Sequence, residues 1–238
     1  MTETFQFRLP LVEAAQAQKH VTVNEALARL DAAAQLRLVS ISITLPPASA
    51  VDGEAYFVPV GAVNAWDGHV GEVAVFANGG WVFLTPARGW SAWVEELEMA
   101  AVYDGVDWRP GGTVFSAAGA ASFHRIIEFD HVITAGATND TLVKVNDKML
   151  LIGVTGRVLS QISGAGVTGW KLGIDTSPAR FGTNHGLAKN TWINAMSFYA
   201  QTYPNNTPLT LEAIGGEFAA GSVRLAMHVF SMEPPRPV

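Results

Sequence analysis

The chain has 238 residues, a net charge of −6 and no cysteine, with 49% apolar and only 15% charged side chains. It can bury a real core, so a disordered chain is excluded, as are disulfides and thiolate metal sites. The acidic balance speaks against a nucleic-acid binder, and no apolar run approaches the roughly 20 residues that a membrane helix needs.

The 23 glycines and 12 prolines favour turns and β structure. Acids and bases are unevenly shared. Residues 1–112 hold 13 acids and 6 bases, whereas residues 113–238 hold 8 and 9, the different surfaces expected of two domains. The opening MTETFQFRLP lacks a basic stretch followed by an apolar core, so no signal peptide is expected.

Residues 11–38 read as helix. They contain no Gly or Pro, and Val23, Ala26, Leu27, Leu30, Ala34 and Leu38 repeat with the spacing of one apolar face. Thr22 followed by Glu25 fits a capping box, so either a second helix starts near Thr22 or one helix breaks slightly there. Pro46-Pro47 ends regular structure, which sets a helical segment at 1–45.

Residues 46–112 form a small Trp-rich β module. Two stretches resemble each other: EVAVFANGGW, ending at Trp81, and MAAVYDGVDW, ending at Trp108. Each has a short apolar strand, an aromatic, a turn at Asn78-Gly79 or Asp104-Gly105, and a Trp opening the return strand. That predicts two related hairpins. Gly111-Gly112 marks the boundary, and the small residues 116–122 read as a linker or tight turn. Beyond them, strands are expected at 123–134, 142–145, 149–160, 169–174, 195–203, 208–214 and 222–232. Their turn spacing suits an antiparallel, jelly-roll-like β-sandwich over 113–238. The closing EPPRPV cannot continue a strand. The fold class expected is thus mainly β, with an N-terminal helix, a small hairpin module and a C-terminal sandwich.

Tryptophans 66, 81, 90, 93 and 108 either fill the core of the small module or stack on sugar rings, whose CH faces are apolar. Trp90 and Trp93 lie outside both hairpins and are expected to be the exposed ones. Residues 180–206 gather Arg180, Asn184, His185, Trp192, Tyr199, Tyr203 and Asn205 on loops. Rings that stack and amides that bind hydroxyls suit a carbohydrate surface. The bland alternative is a long connection with Trp192 plugging the core. Paired carboxylates for glycoside cleavage are not evident: Glu95, Glu96 and Glu98 read as a solvated run, and Asp104 and Asp107 as turn residues. The six histidines are scattered without HxH or HExxH, so no metal or cofactor is expected. His124 and His228 are most simply side chains on one sheet face. No nucleophile elbow or phosphate loop is present.

The stretch RLPLVEAAQAQKHVTVNEALARLDAAAQL, followed by PPASAVDGEAYFVPVGA, WDG, the segment Gly71 to Phe83, and VYDGVDW, resembles a domain family of unassigned function in alphaproteobacterial phages, prophages and gene transfer agents. The segment from ARFGTNHG to SMEPP looks like the C-terminal domain that follows it in fibre proteins. The resemblance implies a tail fibre or head spike on the particle surface, and with no signal peptide expected it would be made in the bacterial cytoplasm. It also implies a homotrimer that contacts other fibre or spike proteins and binds host surface (capsular) polysaccharide; the want of a carboxylate pair predicts binding without cleavage. A structural adaptor is the first alternative and a polysaccharide depolymerase the second. No residue role transfers with the resemblance.

Overall fold

The structure, a computed structural model, describes residues 3–12, 19–203 and 205–237, without the side chains of 19, 20 and 198–200. The chain is mainly β and divides into two compact units, Met1–Gly112 and Thr113–Val238.

Unit 1 has helix α1 (Lys19–Ala34) and strands β1 (Arg37–Ser40), β2 (Ala55–Phe57), β3 (Val73–Ala77), β4 (Gly80–Leu84), β5 (Ser91–Val94), β6 (Met99–Tyr103) and β7 (Trp108–Pro110). They form one mixed sheet in the order β4-β3-β2-β1-β5-β6-β7. The central β1 runs parallel to both neighbours, and the outer pairs are antiparallel.

Both expected hairpins are present and match in detail. In β3–β4, Phe76 lies opposite Trp81 with ring centroids 5.0 Å apart; in β6–β7, Tyr103 lies opposite Trp108 at 5.4 Å. The turns differ. Asn78 and Gly79 both have positive φ (54° and 77°), the conformation of a tight two-residue turn. Asp104 instead caps a longer turn, accepting bonds from the Val106 and Asp107 amides.

The helix departs from expectation twice. It ends at Ala34, because Leu36 and Leu38 are buried core residues leading into and within β1. Thr22 lies inside it, and Glu25 pairs with Arg29 one turn on; residues 13–18 of the expected helix lie outside the described residues. The apolar stripe also faces the wrong way. Val23 and Leu30 (57%) are exposed, as are Ala26 and Ala34, whereas Asp31 and Ala32 are buried. Polar side chains hold the inner face. Asp31 accepts bonds of 2.7 Å from the Thr4 hydroxyl and from the amides of Gln6 and Phe7. Asn24 accepts from the Val12 amide and donates to its carbonyl. The helix is therefore placed partly by directional bonds to residues 4–12 and not by its apolar stripe.

Unit 2 contains β8 (Gly112–Phe115), β9 (Ala121–Ile133), β10 (Thr138–Val145), β11 (Met149–Ser163), β12 (Gly169–Gly173), β13 (Trp192–Thr202), β14 (Thr207–Ile214) and β15 (Ala220–Glu233). All seven strands expected beyond residue 122 are found, and β15 stops before the prolines. A tight turn closed by Ser116 and Ala120 joins β8 to β9. The strands make two antiparallel sheets, β10-β14-β12 and β13-β11-β15-β9-β8. Both feed a single core: Trp170, Leu172, Leu209 and Leu211 from the smaller sheet meet Leu151, Val154, Val223 and Leu225 from the larger. Period-two alternation puts one face of the larger sheet in that core and turns the other outward.

Candidate functional site

Two of the nine residues singled out in the sequence, Trp90 and Trp93, belong to unit 1. Trp90 was expected to be exposed but is half-buried against the unit 1 core, with its backbone bonded to Ala87 and Tyr103. Trp93 does stand out, 47% exposed on β5.

The other seven are in unit 2. The segment after β12 folds back along that strand. Phe181 donates to the Leu172 carbonyl, and His185 exchanges backbone bonds with Trp170. Phe181 is fully buried, and His185 packs on Trp170 at 4.8 Å. The His185 Nε2 lies 3.1 Å from the Phe181 carbonyl. Burial pushes this imidazole below its ordinary pKa, against the opposing pull of that bond. Arg180 donates to the Ser197 hydroxyl at 3.2 Å and lies 5.5 Å from the centre of the Tyr203 ring. Tyr203 is buried, and burial raises its phenol pKa. Asn184 and Asn205 are exposed at positive φ (58° and 62°), the mark of turn asparagines. The Tyr199 side chain lies outside the described residues.

Trp192 does not plug the core. It begins edge strand β13 and is 66% exposed, while its neighbour Ile193 points inward. Asn194 and Met196 follow on the same outward face, both exposed. The strand thus begins three residues before the expected 195, which brings Trp192 and Asn194 onto it. The alternation Trp-Ile-Asn-Ala-Met, outward and inward by turns, was the signal that could have found them.

Across the sheet, Arg157 of β11 stands opposite Trp192 and Arg224 of β15, with Asp130 of β9 beyond. Arg224 grips Asp130 through two bonds of 2.6 and 2.9 Å. The bond from Arg224 holds the Asp130 carboxyl below its usual range. Arg157 donates to the Asn190 carbonyl at 3.0 Å. Two residues along, Thr155 faces Asn194, and its hydroxyl lies 2.9 Å from the His228 Nε2. Then Gly153 lies between Met196 and His228. A Cβ at Gly153 would come within 2.6 Å of the Ala195 carbonyl oxygen. Beside Gly153 lies a hollow of about 510 Å³, lined by His124, Ile126, Thr155, Asn194, Met196 and His228. His124 and His228 thus do share one sheet face.

In unit 1 the acidic run is structural. Glu95 pairs with Arg37 at 2.8 Å, and Glu96 accepts bonds from Ser40, Ile41 and Ser42. Among the described residues, no group of three or more His, Asp or Glu side chains could hold a metal ion, and no helix is long and apolar enough to cross a membrane.

Residues 23–109 match the family described as "Protein of unknown function (DUF2793)". No curated protein matches the chain. Among solved structures, a chain of the cyanophage Pam1 capsid asymmetric unit is 19% identical, over 52% of this chain and 87% of that one, with a TM-score of 0.32. A likeness at that level assigns neither fold nor role.

Proposed function

We propose that this chain is a surface component of a phage or gene-transfer-agent particle, a fibre or spike that holds host surface polysaccharide without cutting it. The observation that carries the reading is Trp192. Trp66, Trp108 and Trp170 are buried, yet this indole stands two-thirds exposed beside Arg157 and Asn194. An indole face offers a stacking surface for the CH groups of a sugar, and neighbouring polar groups fix its hydroxyls. The two sheets of unit 2 closing on one core support the reading of that unit as a jelly-roll-like sandwich facing the host. Single stacking contacts are weak, so a homotrimer would gain attachment by avidity.

The second reading, a structural adaptor, is favoured by helix α1. Its exposed stripe of Val23, Leu30 and Ala34 is a surface that another particle protein, or another copy, would cover.

The test exposes the full chain to an array of purified bacterial capsular and O-antigen polysaccharides, with release of reducing ends followed in parallel. Retention on some polysaccharides with no reducing ends is the expected result. Retention on none favours the adaptor reading, and reducing-end release would make the protein a depolymerase.

A further inference from the structure

The outward face of the larger sheet of unit 2 carries chemistry that the 180–206 loops do not. Those loops spend Phe181, His185 and Tyr203 on their own packing. The sheet face presents side chains at regular intervals along a strand. Trp192, Asn194 and Met196 alternate outward on β13, with Arg157, Thr155 and Gly153 beside them on β11. At about 3.4 Å per residue, the five positions from Trp192 to Met196 cover about 14 Å. Along that line come an aromatic face, then an amide and a hydroxyl, then the hollow above Gly153 beside His228.

Charge narrows the ligand. Arg157 and Arg224 are matched by Glu128 and Asp130 on the same face, two cations against two anions. Arg224 is already committed to Asp130. A polyanion would meet no excess of positive charge here, whereas a hydroxyl-rich neutral chain would meet donors and acceptors together.

We infer that this face is a binding track for an uncharged polysaccharide: one sugar stacks on Trp192, the next is held by Asn194 and Arg157, and a further sugar or its substituent enters the hollow over Gly153. The inference rests on the glycan-binding reading above and adds where the chain lies and what charge it carries.

The experiment uses the full chain on arrayed neutral and anionic bacterial polysaccharides. Trp192→Ala and Asn194→Ala are compared with the loop variants Asn184→Ala and Asn205→Ala. The expected result is retention on neutral polysaccharides that falls about two- to tenfold per site in Trp192→Ala, and further on a multivalent surface. The loop variants should bind as the wild type does. In the wild type, the Trp192 indole N–H resonance, assigned by its loss in Trp192→Phe, should shift on adding the retained polysaccharide. Loss confined to the loop variants would overturn the track and leave the adhesin reading standing. Retention only on anionic polysaccharides would overturn the charge assignment. A Trp192 resonance that moves with protein concentration alone would mark the face as a contact between copies. Retention on nothing would overturn the track together with the reading it rests on.

Discussion

The two units reach stability by different means. Unit 2 builds long antiparallel strands, up to the 15 residues of β11, and closes two sheets on one continuous core. Unit 1 has strands of three to five residues and two smaller core clusters, and its helix is tied down by side-chain bonds to residues 4–12. Where strands are long, alternation orders much of the unit and leaves one sheet face free for other chemistry. Where elements are short, individual polar groups such as Asp31 and Glu96 decide the geometry.

This contrast can be tested by substitution. The largest effect is expected in the unit 2 core. Trp170→Ala removes a fully buried indole and should cost about 3–5 kcal/mol, read from denaturant unfolding followed by a probe in unit 2. A cost under 1 kcal/mol would mean that the two sheets do not share one core. Next, Asp31→Ala strips the partner from a hydroxyl and two backbone amides, for about 3 kcal/mol. Hydrogen exchange at the Gln6 and Phe7 amides should accelerate while exchange in β11 stays unchanged. Equal acceleration in both places would erase the distinction between local and global control.

The smallest effect is expected at Glu96. Burial pushes its carboxyl up, but the Ile41 amide and the Ser40 and Ser42 hydroxyls outweigh this and hold it below its ordinary pKa. A carboxylate depressed on folding contributes stability above the unfolded pKa and loses it as pH falls through the folded value. Glu96→Gln should therefore cost about 0.5–1 kcal/mol at neutral pH, since the group is exposed, and nothing once acid has protonated the wild type. A difference that persists in strong acid would contradict this.

Much of the fold was legible because the signals are local. Turn residues at Asn78-Gly79 and Asp104, and the alternation along 123–133 and 222–232, act through the chain's own backbone, so the hairpins and the long strands could be read directly. The site was legible only in part. Asn184, Asn205 and Trp192 are exposed, but Tyr203 and His185 are engaged by their own surroundings, and nothing in residues 180–206 shows that without the neighbouring Trp170 and Arg180.

By itself, the sequence determined the β character, the two matched hairpins and the strands of unit 2. These follow from side-chain periodicity and turn chemistry within a few residues. Only the tertiary structure decided which face of α1 is covered, that residues 37 and 38 leave the expected helix for the central parallel strand, and that Trp192 stands beside Arg157. The reason is physical. An apolar stripe records that a surface is greasy, not which neighbour covers it. Parallel pairing and cross-strand rows are chosen by residues distant in sequence, such as Ala55 and Trp93 around Leu38 and its neighbour Arg37.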